Sequence, residues 1–265
     1  MKTELYNGNC IEVMKDIRDK TVDMVICDLP YGTTQLKFDK DMLPIELLWK
    51  QYERIVKDNG AILLFSKQPF TTDLIQSNRK WYRYNLIWLK NIANGFLNSK
   101  VMPLQVYEEI CVFYNKKPNY NPQMEYGFER KVSKVNSKRK CQQTEIYNKA
   151  VNIKDYDSTS RYPINILYFD VVRNNKDRLH PTQKPVELLE YLINTYTNEC
   201  DTVLDNCMGS GSTGVACINT DRNFIGIEID VEYFNVAKNR IDSISKEEKL
   251  TSVNTQMTID QFCTR

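Results

Sequence analysis

The sequence predicts an α/β fold in which a mostly parallel β-sheet is covered by helices on both faces. Apolar strand-like segments alternate with helical segments through the first 114 residues, and the same alternation resumes after about residue 180. A glycine-rich loop joins a strand to a helix near residue 209. Strands that alternate with helices usually pair in parallel, because the helix returns the chain to the same edge of the sheet.

The first part of the chain alternates β-branched or apolar runs with segments of helical spacing. The predicted strands are Thr3–Tyr6, Val22–Cys27, Ala61–Phe65, Tyr84–Leu89 and Glu109–Tyr114. The predicted helices are Cys10–Ile17, Leu43–Val56 and Phe70–Asn78. We expect Asp58-Asn59-Gly60 to end the second of these helices, in the way that a glycine C-cap does.

Regular spacing returns in the last third of the chain. The predicted elements there are the helix Val186–Thr195, the strand Thr202–Leu204, the helix Thr213–Ile218, the strand Asn223–Glu228 and the helix Val231–Ile241. The segment between the two regular parts is polar and has little periodicity. We therefore divide the chain into two halves of one domain at 1–114 and 179–242, an insert at 115–178 and a polar tail at 243–265.

Composition narrows the class of protein. The chain has 265 residues, of which 42% are hydrophobic, so it can form a substantial core. It lacks an apolar run near the ~18 residues of a membrane span and a signal-peptide pattern at Met1, and we expect a soluble cytoplasmic protein with no membrane partner. A metal site is not expected, because the eight cysteines form no CxxC pair and His180 is the single histidine.

The insert carries a local run of positive charge, although the net charge of the chain is only +2. The residues predicted to bind DNA are Arg130, Lys131, Lys134, Lys138, Arg139 and Lys140. Cations contact phosphates and the interleaved tyrosines can stack on bases, which favours a nucleic-acid surface. The alternative is an ordinary solvated loop.

Four residues, Asp28-Leu29-Pro30-Tyr31, follow the buried strand Val22–Cys27. They present a carboxylate, a backbone stiffened by proline and an aromatic ring at one strand end. This combination suits a flat, weakly nucleophilic amino group, because the carboxylate and a carbonyl accept its N–H hydrogens while the ring stacks on its plane. The alternative is a plain turn at the end of a strand.

The glycine-rich loop begins at Asp205 and contains Gly209, Gly211 and Gly214 in the spacing G-x-G-x-x-G. Glu228 ends the next strand, where an acidic residue can bind ribose hydroxyls. The pattern fits a dinucleotide or the adenosine part of S-adenosylmethionine, and a tight turn without ligand is the third alternative.

The position of this loop favours S-adenosylmethionine. A dinucleotide domain needs several strands after the loop, whereas one helix and a tail follow Glu228. The strand Thr3–Tyr6 must then complete a circularly permuted sheet with Thr202–Leu204 at its centre. In such a sheet the Asp28 tetrapeptide and the glycine loop lie at neighbouring strand ends, where open α/β sheets bind ligands.

These residues resemble the β-class amino-methyltransferases of DNA. Three motifs occur in the order of that family: Asp28-Leu29-Pro30-Tyr31, then His180 to Pro185, then the loop from Asp205 with Glu228 after it. The resemblance covers about Met1 to Ile241. It implies a circularly permuted Rossmann-like methyltransferase fold, S-adenosylmethionine as cofactor, double-stranded DNA as partner, and a target-recognition region in the insert.

The resemblance also implies roles for single residues. Asp28 and the Leu29 carbonyl would hold the target amino group, Pro30 would fix the turn, and Tyr31 would stack on a base swung out of the duplex. The cofactor-binding residues would be Asn9, Cys10, Asp28, Thr182, Lys184, Pro185, Asp205, Asn206, Cys207, Gly209, Gly211, Glu228 and Ile229. Among them, Glu228 would bind the ribose, and Thr182, Lys184 and Pro185 would contact the methionine carboxylate.

Three positions depart from the family pattern. Leu29 replaces the usual first proline, Asn9 stands where an aspartate often binds the adenine amino group, and Cys207 replaces a phenylalanine. These changes concern cofactor affinity more than reaction type.

The resemblance implies a site-specific methyltransferase that forms N6-methyladenine by direct displacement, with base flipping. Aspartate at the first motif position favours adenine, whereas serine more often accompanies N4-cytosine. The alternatives are an N4-cytosine enzyme, a catalytically impaired DNA-binding member of the fold, and methylation of a protein glutamine. A homodimer, a cognate restriction endonuclease and a bacterial or phage origin are compatible with this resemblance.

Overall fold

The computed structural model describes residues 1–30, 43–134, 141–144, 147–152, 155–172, 179 and 183–244. The chain forms two compact units, of which one is Met1–Asn121 together with Asn165–Arg265 and the other is Pro122–Ile164. Within the described ranges, none of the helices combines the length and the hydropathy that a membrane span requires.

The elements are numbered in chain order. The strands are β1 Thr3–Asn7, β2 Val22–Cys27, β3 Val56–Ser66, β4 Tyr82–Asn94, β5 Gln105–Phe113, β6 Lys131–Ser133, β7 Cys141–Thr144, β8 Tyr147–Asn152, β9 Tyr156–Ser158, β10 Ile166–Tyr168, β11 Thr202–Asp205 and β12 Asn223–Glu228. The helices are α1 Cys10–Asp16, α2 Ile45–Ile55, α3 Phe70–Ser77, α4 Val186–Tyr196 and α5 Ser212–Asn219. A further helix, α6, occupies residues 231–244.

The larger unit is built on an eight-stranded sheet with the order β1-β12-β11-β2-β3-β5-β4-β10. All neighbours pair in parallel except β5, which is antiparallel to both β3 and β4. The N-terminal β1 pairs with β12, and β11 lies between β12 and β2. The mostly parallel, circularly permuted sheet predicted from the sequence is thereby confirmed.

Helices cover both faces of this sheet, also as predicted. Because successive side chains of a strand point to opposite faces, β2 contributes to two separate cores. Met24 and Ile26 pack in a cluster with residues of α4, α5 and α6, whereas Val25 and Cys27 pack with residues of α1, α2 and α3. All six residues of β2 are buried, which explains why five of them are apolar, and the sixth, Asp23, pairs with Lys57.

The helix end predicted at Asp58-Asn59-Gly60 is wrong. Helix α2 ends at Ile55, and β3 already begins at Val56 and runs through these residues. A Cβ atom on Gly60 would lie 2.7 Å from the carbonyl oxygen of Asp23. The glycine is therefore required by the close approach of β2 and β3, at the register shift between Val22 and Met24.

The segment from 115 to 177 contains more regular structure than its polar sequence predicts. Strand β10 returns to the main sheet and pairs in parallel with β4, where Leu167 is buried. In the smaller unit, β6 pairs with β9 and β7 pairs with β8. Each of these strands is short, so that alternation of polar and apolar residues gives little signal.

Substitution of Gly211 by alanine is expected to destabilise the fold strongly. Gly211 has φ +77°, and a Cβ atom there would lie 3.0 Å from the Cβ atom of Ala237 on α6. The left-handed backbone costs about 1–2 kcal/mol for alanine, and overpacking against α6 adds about 1–3 kcal/mol. Gly95 is the matched control, since it has φ +91° and a Cβ atom there would meet no atom of the described residues within 4 Å. Urea unfolding of both alanine variants measures the difference, and equal losses would contradict the packing role of Gly211.

Candidate active site

Four acidic side chains lie along one edge of the main sheet. Asp28 directly follows β2, while Asp205 and Glu228 are the last residues of β11 and β12. Glu108 reaches the same edge from the antiparallel β5, one residue beyond the pairing of Glu109 with Ser66 at the end of β3. The edge is the carboxyl end of the parallel strands, where open α/β sheets form their ligand sites.

The Asp28 carboxylate forms an ion pair with the ammonium group of Lys184, which precedes α4. The Asp28 side chain is 20% exposed and that of Lys184 is 10% exposed. The side chain of Leu29 is buried in the core, and this packing holds the Leu29 backbone carbonyl in place. Pro30 is half-buried, and Tyr31 lies outside the described residues.

The ammonium group of Lys184 lies near two carboxylates, those of Asp28 and Glu108, and near one aromatic ring. Its ammonium nitrogen lies 3.7 Å from Oε2 of Glu108 and 5.0 Å from the centre of the Phe65 ring. Burial by itself lowers the pKa of this lysine, but Asp28 and Glu108 outweigh burial and raise the pKa above its usual value. The resemblance assigns Lys184 to the methionine carboxylate, and the structure places its ammonium beside Asp28.

The glycine loop is tied to the end of β12 through Glu228. One carboxylate oxygen accepts a hydrogen bond from the backbone N–H of Gly209 at 2.9 Å, and the other accepts from the N–H of Asp230 at 2.9 Å. Burial raises the pKa of Glu228. Gly209 and Gly211 have φ +50° and +77°, a conformation that suits glycine. The carboxylate is therefore held in a fixed orientation beside the loop.

Asp205 anchors the beginning of the same loop. Its carboxylate accepts hydrogen bonds from the hydroxyl of Thr213 at 2.6 Å and from the backbone N–H of Cys207 at 3.1 Å. Burial raises the pKa of Asp205 to about 6, so that the group is mostly ionised at neutral pH. Two buried acidic groups therefore flank the loop: Asp205 at its beginning and Glu228 at the end of β12.

Between α1 and the glycine loop lie the amide of Asn206 and the thiols of Cys10 and Cys207. The hydroxyl of Tyr52 donates to Oδ1 of Asn206 at 2.5 Å. The amide nitrogen of Asn206 donates to the sulfur atoms of Cys10 at 3.7 Å and Cys207 at 3.6 Å. Hydrogen bonding to Cys207 and burial raise the pKa of Cys10, which keeps that thiol protonated at neutral pH. Cys10 is therefore a poor nucleophile.

Asn9 is the N-cap residue of α1. Its side-chain oxygen accepts hydrogen bonds from the backbone N–H groups of Ile11 at 2.9 Å and Glu12 at 3.4 Å. The resemblance assigns this oxygen to the adenine amino group, and in the structure it caps the helix. The remaining predicted cofactor residues at this edge are Pro185, the N-cap of α4, and Ile229, which is exposed after β12.

Gln183, a residue without a predicted role, connects the segment before α4 to the glycine loop. Oε1 of Gln183 accepts a hydrogen bond from the backbone N–H of Leu179 at 2.8 Å and one from the hydroxyl of Ser210 at 3.4 Å. His180 and Thr182 of the same motif lie outside the described residues. The only signal for Gln183 is its place inside that motif.

Three of the residues predicted to bind DNA are described, and all three are exposed in the smaller unit. Arg130 forms a two-pronged ion pair with Asp157, with nitrogen–oxygen distances of 2.7 and 2.8 Å. Lys131 lies on β6 and Lys134 follows it. The other three, Lys138, Arg139 and Lys140, fall outside the part of the chain that the structure describes.

The hydrogen-bond acceptors at this end of the sheet suit a nucleoside that carries positive charge. Asp205 and Glu228 offer carboxylate oxygens, which accept from hydroxyl and ammonium groups. The same oxygens would repel the pyrophosphate of a dinucleotide. Among the residues described, no group of three or more His, Cys, Asp or Glu side chains is arranged to hold a metal ion.

Comparison with known proteins identifies the family. The family model for DNA methylases of the N6/N4 type matches residues 22–239. The chain is 28% identical over 258 residues to the Type II methyltransferase M.HpaI of Haemophilus parainfluenzae, an alignment that covers 92% of this chain and 75% of that protein. It is 27% identical over 269 residues to the DNA adenine methyltransferase YhdJ of Escherichia coli K12, with 96% and 88% covered.

A solved structure supports the same assignment. The complex of M1.HpyAVI with S-adenosylmethionine superposes with a TM-score of 0.59 and 26% sequence identity, and covers 90% of this chain and 99% of that one. Together with the family match over residues 22–239, this likeness places the glycine loop and Asp28 in a shared fold. The chain therefore belongs to the N6/N4 DNA methylase family and is an S-adenosylmethionine-dependent DNA amino-methyltransferase.

Proposed function

We propose that the protein methylates the exocyclic N6 atom of adenine at specific sites in double-stranded DNA. The observation that carries this proposal is the Asp28 carboxylate, which an ion pair with Lys184 holds at the end of β2. A carboxylate at the first position of the motif favours adenine within the family. The likeness to a DNA adenine methyltransferase at 27% identity supports the same choice.

The proposed chemistry requires that the amino group be aligned rather than deprotonated beforehand. The Asp28 carboxylate accepts one N–H hydrogen and the Leu29 carbonyl accepts the other, so that the nitrogen lone pair points away from both acceptors. S-adenosylmethionine, when bound, would supply the methyl group: the N–CH3 bond would form as the sulfonium S–CH3 bond breaks to leave the neutral thioether, and the proton lost by the amino nitrogen would pass to solvent. Alignment and local charge then provide most of the rate enhancement, and no cysteine nucleophile is needed.

The target base must leave the duplex, because in the duplex one N–H of its amino group is base-paired and the base cannot enter the enclosed site beside Asp28. We propose that Tyr31 stacks on the extruded base. The basic residues of the insert, Arg130 to Lys140, would contact phosphates and make binding depend on salt. The homodimer and the cognate endonuclease remain predictions.

N4-cytosine is the second candidate target. The matching family includes both N6 and N4 enzymes. The exocyclic amino group of cytosine presents the same two N–H hydrogens to Asp28 and Leu29. The two targets therefore differ in the base ring that the site must accept. Identification of the methylated nucleoside distinguishes them.

The full-length protein should be incubated with tritiated S-adenosylmethionine and unmethylated DNA, and the labelled DNA digested to nucleosides. We expect N6-methyldeoxyadenosine; N4-methyldeoxycytidine would establish the second candidate instead. DNA binding without transfer would indicate a catalytically impaired member of the family, and label in protein would indicate glutamine methylation. Sequencing methylated DNA from expressing cells then gives the recognition site.

Substitution of Glu228 by glutamine is expected to weaken cofactor binding about 10- to 100-fold. The resemblance assigns the ribose hydroxyls to Glu228, and the variant replaces one acceptor oxygen by an NH2 donor that also opposes the N–H group of Gly209 or Asp230. Hydrogen bonds to charged groups contribute about 1.5–3 kcal/mol. Isothermal titration with S-adenosylmethionine measures the change. The control is Glu232→Gln on the exposed surface of α6, and equal affinities of the two variants would contradict the role of Glu228.

A further inference from the structure

Four side chains of alternating charge form a continuous row that ends at Asp28. Lys90 on β4 pairs with Glu108 on β5, Glu108 lies 3.7 Å from the ammonium of Lys184, and Lys184 pairs with Asp28. The outer pair is as enclosed as the inner pair, with side-chain exposures of 8% for Lys90 and 19% for Glu108. The row therefore links two strands, the segment before α4 and the candidate catalytic carboxylate.

Aromatic rings shield the two cations of this row from water. The Lys90 ammonium lies 4.7 Å from the centre of the Trp88 ring, and that of Lys184 lies 5.0 Å from the centre of the Phe65 ring. Ring faces attract cations, and the attraction is stronger where solvent is excluded. A low local dielectric also strengthens the attraction between neighbouring members of the row.

Glu108 acts on Lys184 by charge rather than by a hydrogen bond. Its Oε1 atom pairs with Lys90, whereas Oε2 is buried without a hydrogen-bond partner among the described residues and faces Lys184 at 3.7 Å. Burial by itself raises the pKa of Glu108, but Lys184 and Lys90 outweigh burial and lower the pKa below its usual value. Glu108 is therefore ionised at neutral pH, and its negative charge attracts the Lys184 ammonium group, which lies 3.7 Å from Oε2.

We propose that Glu108 is a positioning residue for methyl transfer, whose charge, anchored by Lys90, holds the Lys184 ammonium in place against Asp28. Through Lys184 it fixes the orientation of the carboxylate that receives the amino group. This inference rests on the role proposed above for Asp28. Glu108 itself does not contact the reacting atoms in this scheme, and it differs in this respect from Asp28.

The experiment compares Glu108→Gln with Glu109→Gln in the full-length protein. Glu109 is the matched control, because it is the next residue of β5 and its carboxylate hydrogen-bonds Thr71 and Asn85 instead of a lysine. We expect Glu108→Gln to lower kcat about 10- to 100-fold, with the KM for DNA and the Kd for S-adenosylmethionine changed less than about twofold, as for a group that acts only in the transition state. Glu109→Gln is expected to keep kcat within about threefold of wild type.

A double-mutant cycle distinguishes two roles of Glu108: positioning of Lys184 for catalysis, or only stabilising the contacts of β5 with its neighbours. If Glu108 acts through Lys184, Glu108→Gln causes no further loss of kcat in a Lys184→Met background. Glu108→Asp, which keeps the charge, should retain more of kcat than Glu108→Gln. An unchanged kcat in Glu108→Gln, or additive losses in the cycle, would overturn the inference while leaving an active wild type. Absence of transfer by the wild type would overturn the proposed function and this inference with it.

Discussion

Replacement of Asp28 by asparagine is expected to lower the rate of methyl transfer at least about a thousandfold, the upper range for the loss of one preorganised catalytic group. The ammonium of Lys184 carries only donors, so it takes the amide oxygen of the new side chain. The amide NH2 then faces the amino group of the target base, and two donors oppose each other where an acceptor is required. The resemblance also lists Asp28 among the cofactor-binding residues, but Asp28 lies at the end of β2 and not in the glycine loop, so we expect the Kd for S-adenosylmethionine to change less than about threefold.

Single-turnover reactions with tritiated S-adenosylmethionine measure this rate. Asp16→Asn is the control, since Asp16 is an exposed residue at the end of α1. It should react at the wild-type rate. An Asp28→Asn variant within tenfold of the wild-type rate would remove Asp28 from the proposed chemistry, provided that thermal unfolding shows both variants folded.

Local sequence patterns were sufficient for those parts of the fold that depend on short-range physics. The bounds of β2 and β12 are those predicted, because a buried parallel strand is an apolar run with clear ends at Asp28 and after Glu228. The permuted strand order followed from the position of the glycine loop near the C-terminus. Both inferences required only that each strand be recognised and counted.

Features that depend on tertiary contacts could not be predicted in this way. Gly60 stands after a helix, as a C-cap glycine does, and only the 2.7 Å approach to the Asp23 carbonyl shows that it belongs to a strand. Glu108 falls just before the predicted start of its strand, and the antiparallel register with β4 brings it to Lys90. Such registers are set by long-range pairing, which a single sequence does not display.

Lys184 shows how a motif and a structure can assign one side chain differently. The motif gave Lys184 its position next to the cofactor, and the fold brings it to Asp28, which is 156 residues away in sequence. The two assignments make different predictions. A lysine that binds the methionine carboxylate contributes to cofactor affinity, whereas a lysine that pairs with Asp28 contributes to stability and to kcat.

Substitution of Lys184 by methionine is expected to reduce the free energy of unfolding by about 3–5 kcal/mol, the usual cost of leaving one partner of a buried ion pair without the other. Asp28 and Glu108 would then be two carboxylates at one enclosed site without the cation between them, which raises the pKa of Glu108. Lys90 still pairs with Glu108 in the variant, but the folded state of the variant holds the Glu108 proton more tightly than the wild-type folded state does, so less stability is gained as pH rises from about 4 to 7. Wild-type Glu108, whose pKa is lowered, contributes the full gain in stability over this range.

Urea unfolding at several pH values tests this prediction, and the variant Lys184→Met/Glu108→Gln is its control. Removal of the second buried charge should restore part of the lost stability and flatten the pH dependence, because one carboxylate no longer opposes the other. A double variant less stable than Lys184→Met would show that packing, rather than charge, decides the effect. In the same variants the Kd for S-adenosylmethionine distinguishes the two assignments of Lys184: an affinity close to wild type favours the ion pair with Asp28, and a large loss favours contact with the cofactor.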